Sequence, residues 1–381
     1  MPPLVILGGG LAGYGLLREF RKRDGETPVT LITADDGRVY SKPNLSNALS
    51  QGRAPAQLAA ETAEQAAAKF NARILTHTRV GAIDPANKRV LAEFGEMAYG
   101  RLILALGADP IPHGLGGDAA GEVFSVNDLD DYTRFRAALV GKHHIAILGG
   151  GLIGCEFAHD LTASGHAATV VHRGPWPLER LVPEEAGGAL ARALENQGVA
   201  WRFGRAARQV ARHDGGYRLT LDDGSQVRAD LVLSAIGLRS RTQLAGAAGI
   251  PVNRGIVVNR KLETGVVDIY AIGDCAEVEG HVLPFVQPLL IQARALAAIL
   301  AGEETQVHYP AMPVVVKTSA CPVAVLPPAP NAVGGWRVEC TEGGIRALHR
   351  TEAGGLNGFA LTGGETAHRA ELAKQVAALL P

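Results

Sequence analysis

The chain has 381 residues, 47% of them hydrophobic and 20% charged, with 47 glycines and a formal net charge of -1. That balance belongs to a folded protein with sizeable cores, and at roughly 100 to 200 residues per domain it predicts two or three domains. It excludes wholesale electrostatic binding to nucleic acid or to an anionic membrane, and no apolar run reaches the ~18 residues that a membrane span requires.

In chain order, "PPLVILGGGLAGYGLLREFRKRDGETPVTLITADD" (residues 2–36) predicts a strand, a tight turn, a helix with Leu16, Leu17 and Phe20 on one face, and a strand over Val29 to Ile32. Its apolar start lacks a basic leader and is broken by glycines, so it does not read as a signal peptide. "RLILALGADPIP" (101–112) predicts a buried strand ending in a Gly/Pro turn. "HHIAILGGGLIGCEFAHDLTASGHAATVVHR" (143–173) repeats the opening pattern, with its second strand over Ala168 to Val171, and "ADLVLSAIGLRSR" (229–241) is the counterpart of 101–112. These two segments mark crossings between domains, which divides the chain into 1–112 with 236–306, then 113–235, then 307–381. From residue 307, short strands separated by Pro and Gly predict a small α+β appendage with a helical tail over Thr366 to Leu380. "CPVAVLPPAPNAVGG" (321–335) reads there as a rigid loop or edge segment, because proline cannot donate to a central ladder.

"ILGGGLAG" (6–13) thus recurs as "ILGGGLIG" (147–154). In G-x-G-x-x-G the first glycine makes the turn, the second lets backbone approach a pyrophosphate, and the third packs helix on strand. These are Gly8, Gly10 and Gly13, then Gly149, Gly151 and Gly154. Two copies in strand-turn-helix context point to two dinucleotides lying end to end so that a hydride passes between them. The acidic ribose partner usually found ~20 residues past the turn is missing from both. Thr33 holds its place in the first unit, and His172 with Arg173 in the second. Without that carboxylate a 2′-phosphate is not rejected, which predicts modest discrimination between NADH and NADPH, and Arg173 is either a phosphate partner or a solvated cation.

The glycine turns, "LILALGA" (102–108) and "DIYAIGDCA" (268–276) together resemble the FAD-dependent pyridine-nucleotide reductases. The resemblance implies an α/β fold of glutathione-reductase-like architecture. Two Rossmann-like three-layer domains, one for FAD (discontinuous, 1–112 and 236–306) and one for NAD(P)H (113–235), would be joined to the small C-terminal domain. It also implies that Asp274, with Gly273 allowing close approach, holds the flavin ribityl hydroxyls. "ITADDGRVYSKPNLS", "NARILTHTRV", "LGGGLIGCEFAHDL" and "MPVVVKTSACP" are more closely similar to rubredoxin reductases. That likeness implies Lys42 against the flavin and paired with Glu156 near the nicotinamide, Val80 beside the adenine, and further cofactor contacts at Leu11, Ala12, Ala34, Ala105 and Val286.

Disulfide reductases of the superfamily carry a redox cysteine pair, and peroxide-reducing or oxidase relatives a single cysteine, where this chain reads "VYSKPNLS", so electrons pass from flavin straight to an external one-electron acceptor. Cys155, Cys275, Cys321 and Cys340 are scattered, without metal-ligand spacing, and Cys155 and Cys275 read as packing residues. Lys317 is the candidate cation for the reduced flavin. The implied partner is rubredoxin or a similar small acidic one-electron carrier, met by a basic rim of Arg38, Lys42, Lys317 and Arg53. The alternatives are a flavorubredoxin or ferredoxin reductase, or a flavin-bound redox sensor. The setting reads as cytoplasmic.

Overall fold

A computed structural model describes residues 3–381. The apolar runs Leu4–Leu7, Val29–Ile32 and Arg101–Leu104 join Arg73–Leu75 and Ile269–Ala271 in a five-stranded parallel sheet, in the order 269–271, 101–104, 4–7, 29–32, 73–75. Every residue of the first two strands is buried, as a parallel sheet covered on both faces requires. Helix Leu11–Arg21 crosses this sheet against helix Val286–Leu300, where a Cβ on Gly15 would sit 3.6 Å from that of Ala293. Leu16, Leu17 and Phe20 all enter the core.

The second glycine unit builds a four-stranded parallel sheet in the order Val199–Phe203, Ala167–His172, His144–Leu148, Leu231–Ser234. Each parallel sheet is accompanied by an antiparallel three-stranded sheet that the residue pattern does not announce, over Val80–Ala98 and Ala207–Ala229. The two crossing segments meet: Ala108–Pro110 pairs antiparallel with Leu238–Ser240. The chain therefore leaves and re-enters the first sheet region side by side.

The C-terminal part is a five-stranded antiparallel sheet resting on helix Glu184–Glu195. Two expectations fail there. Val323–Leu326 is an interior strand between Val314–Val316 and Leu356–Thr362, because the prolines at 327, 328 and 330 begin only after it ends. The tail is α-helical over Arg369–Ala373 alone. Leu380 instead exchanges backbone hydrogen bonds with Tyr309, and its burial in the first core wins over a continued amphipathic turn.

Candidate functional site

The two glycine turns are built alike. Gly8 lies at φ +118°, and a Cβ there would collide with the Ala105 carbonyl oxygen, just as one on Gly149 would reach 2.7 Å from that of Ala235. A Cβ on Gly13 or Gly154 would strike the carbonyl of the first glycine of its own turn. The chain itself thus demands these four glycines. At Gly10 and Gly151 a Cβ would meet nothing within 4 Å, and the backbone has an ordinary negative φ of -81° and -79°. Nothing in the protein requires glycine there. Each residue caps a helix, Leu11–Arg21 and Leu152–Thr162, with no side-chain cap and no acidic residue in the first turn, so both N-termini present uncompensated N–H groups to open space.

Around the first turn, Gly273 is pressed on Ala12, its Cβ position 2.7 Å from that of Ala12, and its N–H donates to Gln292 Oε1 at 2.6 Å. This seats Asp274 beside the N-terminal end of the first helix, with Val286 opening the neighbouring helix and partly exposed. Burial raises the Asp274 carboxyl above its usual range, and the Lys42 charge offsets part of the effect. Burial likewise lowers the Lys42 ammonium, with Asp274 opposing it. Thr33 packs under Gly9 and donates to Asp35 Oδ1 at 2.6 Å, while Ala34 is exposed. Beyond the parallel pairing of Val29–Ile32 with Arg73–Leu75, the His77 and Thr78 N–H groups donate to the Asp35 and Thr33 carbonyls, and Val80 opens the next strand two residues later. Leu11, Ala12, Ala105, Thr33, Asp274 and Lys42 therefore gather around the first glycine turn although they come from separate segments.

The expected Lys42 to Glu156 pair does not form. Lys42 Nζ donates instead to Asn127 Oδ1 at 2.6 Å, and Asn127 is anchored through Nδ2 to the Ala108 carbonyl at 2.9 Å. Glu156, in the second turn of helix Leu152–Thr162 and 6% exposed, accepts from Ser46 Oγ at 2.5 Å and from the Lys317 N–H at 3.0 Å, and lies 3.1 Å from Lys317 Nζ. Lys317 Nζ also donates to the Pro43 carbonyl and to Ser46 Oγ. The 3-10 helix Lys42–Asn47 explains the exchange: its first residue faces Asn127 and the Asp274 charge, while Ser46, more than one turn later, faces Glu156. A cation from the C-terminal sheet region completes the contact. Sequence reading missed Asn127 and Ser46, and no local pattern marks them.

In the second unit His172 is buried, and Arg173 is exposed. His172 Nδ1 accepts from the Gly150 N–H at 3.1 Å, and its Nε2 lies 2.8 Å from Glu179 Oε2. A carboxylate thus stands at the end of this strand although none occupies the usual sequence position. The basic rim is also corrected. Arg38 is ion-paired with both Asp36 and Asp130, Lys317 with Glu156, and Arg53 Nη2 is bonded to the Gln57 carbonyl. The Arg38 charge is taken up by acidic residues of its own loop and of the Leu129–Ala138 helix, and the Lys317 charge is shared with Glu156 of the Leu152–Thr162 helix, whereas Arg53 meets only a backbone carbonyl. Cys155 and Cys275 are fully enclosed, and burial pushes the Cys275 thiol up to about 11 and the Cys155 thiol higher, so both are inert packing groups.

Residues 2–296 match the family described as pyridine nucleotide-disulphide oxidoreductase. The chain belongs to this family. Residues 306–376 match a second description, the rubredoxin binding C-terminal domain. The chain is 50% identical over 382 residues to a rubredoxin-NAD(+) reductase of Alcanivorax borkumensis, covering 100% of both chains. It is 44% identical over 390 residues to the same-named protein of Acinetobacter baylyi, covering 100% of this chain and 99% of that one. Among solved structures, a ferredoxin reductase from Rhodopseudomonas palustris superposes with a TM-score of 0.89 at 25% identity, covering 99% and 96% of the two chains. This oxidoreductase family works with FAD and NADH. The residues present fit both. Gly10 and Gly151 leave room that no side chain fills, and no donor in the chain reaches the Asp274 carboxylate among the described residues. No helix among the described residues is long and apolar enough to cross a membrane.

Proposed function

We propose that this chain is a reductase that takes a hydride from NADH and delivers electrons one at a time to rubredoxin or a similar small acidic carrier. The observation that carries the reading is the pair of identical turns in which the second glycine alone faces empty space, each ahead of an uncapped helix N-terminus, with a charged seam between them. FAD, when bound, supplies the chemistry that converts a two-electron donor into two one-electron deliveries.

The chain's own residues have separable tasks. Gly10 and Gly151 admit a pyrophosphate to the helix N-termini, where the N–H groups satisfy its charge. Asp274 would accept hydrogen bonds from the ribityl hydroxyls of a bound flavin, which would compensate its burial. Lys42, held by Asn127, would place positive charge where a reduced flavin develops negative charge, and Lys317, held by Glu156 and Ser46, would add an ammonium already partly compensated by Glu156. With no thiol in the 39–46 segment and Cys155 and Cys275 inert, electrons in this reading pass from flavin to the carrier without a sulfur relay.

Residues 1–112 with 236–306 hold the flavin, 113–235 the nicotinamide nucleotide, and 307–381 contribute to docking; the side-by-side crossing strands support this division. The unpaired state of all four cysteines is in keeping with a cytoplasmic setting. The test is to reduce the purified yellow protein anaerobically with NADH, follow bleaching of its flavin, and then add oxidised rubredoxin. Prompt reoxidation by rubredoxin is the expected result. A flavin that NADH bleaches but rubredoxin leaves reduced, while a ferredoxin reoxidises it, would reassign the acceptor.

A further inference from the structure

The strand Ala167–His172 ends in a loop that is locked onto the second glycine turn at two points. The Gly150 N–H donates to His172 Nδ1 at 3.1 Å, and the Leu178 N–H donates to the Gly150 carbonyl at 2.9 Å. Leu178 is buried and held at φ +61°, a conformation that a non-glycine residue adopts only when its surroundings impose it. A Cβ on Gly150 would stand 2.9 Å from the His172 ring, which is why this middle position is glycine. Because Nδ1 accepts, the ring proton sits on Nε2 and is donated to Glu179 Oε2 at 2.8 Å. Glu179 in turn is packed so tightly over Gly174 that a Cβ there would lie 2.6 Å from its carboxyl carbon. Its other oxygen is 3.6 Å from Nε of the exposed Arg180.

We infer that Glu179, positioned by His172, is the residue that selects NADH over NADPH. This rests on the reading that the second glycine turn takes the nicotinamide dinucleotide. A carboxylate at the end of the second strand of such a unit bonds the two adenosine ribose hydroxyls and repels a 2′-phosphate. Here the residue at the strand end is a histidine, and the carboxylate reaches the same end of the sheet from seven residues further along, carried by the clamped loop. The first unit does the same more briefly: Thr33 packs under Gly9 and donates to Asp35, as His172 packs under Gly150 and donates to Glu179.

Next to this loop lies a cavity of about 350 Å³ lined by Arg173, Gly204, Arg205, Arg208 and Asp222. The Arg205 N–H donates to the His172 carbonyl at 3.0 Å, so the cavity opens directly beyond the same strand end. Arg205 is paired with Asp223 at 2.6 Å, whereas Arg173 and Arg208 have no acidic partner within ion-pair distance among the described residues. Positive charge able to receive a 2′-phosphate is therefore already present, and Glu179 is what turns that phosphate away.

The experiment compares the parent with Glu179→Gln, which keeps the size and the bond to His172 and removes only the charge. Pre-steady-state flavin reduction is measured with each coenzyme, and calorimetry measures binding of adenosine 2′,5′-bisphosphate against adenosine 5′-monophosphate. The variant is expected to raise the ratio of kcat/KM for NADPH over NADH by about tenfold or more and to shift the calorimetric preference the same way, as loss of one like-charge contact dictates. Adding Arg173→Gln should take back part of that gain. A folded, flavin-loaded Glu179→Gln protein with both ratios unchanged overturns the assignment. A parent whose flavin is reduced by neither coenzyme would instead overturn the reading beneath it.

Discussion

Replacing glycine by alanine at three positions of one turn separates what the protein needs from what its cofactor needs. At Gly8 the added methyl collides with the Ala105 carbonyl oxygen at a φ of +118°. Backbone strain costs about 1 to 3 kcal/mol, and shifting a packed strand costs about as much again, so Gly8→Ala should destabilise the flavin-free protein by roughly 2 to 6 kcal/mol. Gly13→Ala, which strikes the Gly8 carbonyl, belongs with it. At Gly10 the same methyl meets nothing within 4 Å at a φ of -81°. Alanine there restricts the unfolded chain, which stabilises slightly, and is a poorer helix cap, which destabilises slightly, leaving the flavin-free protein within about 1 kcal/mol of the parent. Its methyl occupies the approach to the helix N-terminus, however. Losing one charge-assisted hydrogen bond of about 1.5 to 3 kcal/mol should weaken FAD binding by roughly 10- to 100-fold. Urea unfolding of stripped protein and fluorescence titration with FAD measure the two effects independently. A Gly10→Ala protein that binds FAD with the parental Kd, or that unfolds as easily as Gly8→Ala, would refute the argument.

Glu156→Ala breaks the contact among three chain segments and leaves Lys317 with only the Pro43 and Ser46 oxygens; since the Lys317 side chain is 31% exposed, the loss should fall near the low end, about 3 kcal/mol, with slower flavin reduction by NADH, and unchanged melting would show the seam to be idle. Asp274→Asn should melt higher than the parent at neutral pH when flavin-free, yet retain FAD poorly. The sign follows from burial: the folded Asp274 carboxyl is raised above its ordinary 3.8, so its cost is absent below that pH and grows as pH rises through the folded value, and the two melting curves should converge toward pH 4. A variant advantage that persists unchanged in acid contradicts this. Because Arg38 is already paired with Asp36 and Asp130, Arg38→Gln should alter rubredoxin reduction by less than about twofold at physiological ionic strength, and a large loss in stopped-flow traces would restore it as a docking cation.

The parts of this protein legible in the sequence are those whose cause is local. A glycine turn is a requirement on a few consecutive backbone positions, and strands covered on both faces are bound to read as "LVIL" or "HIAIL", so the two nucleotide units and their crossings stand out from the residue pattern alone. Residues brought together by those units follow from the same pattern: Gly8, Ala105 and Asp274 sit at the same ends of adjacent strands, a consequence of parallel pairing. Partnerships between side chains do not follow. Lys42 chose Asn127 over Glu156, and Glu156 chose a lysine 161 positions away, because hydrogen-bond partners are settled by which way a single 3-10 helix turns its residues and by how a later sheet docks. The carboxylate at the end of the Ala167–His172 strand is likewise invisible at the usual sequence position, since only the folded loop, pinned to Gly150 and strained at Leu178, carries Glu179 back to that strand end. Sequence by itself determined the two glycine turns and the parallel strands that present them; the tertiary structure alone decided which charges lie beside them, because charge pairing depends on distances of a few ångström between segments that the sequence keeps far apart.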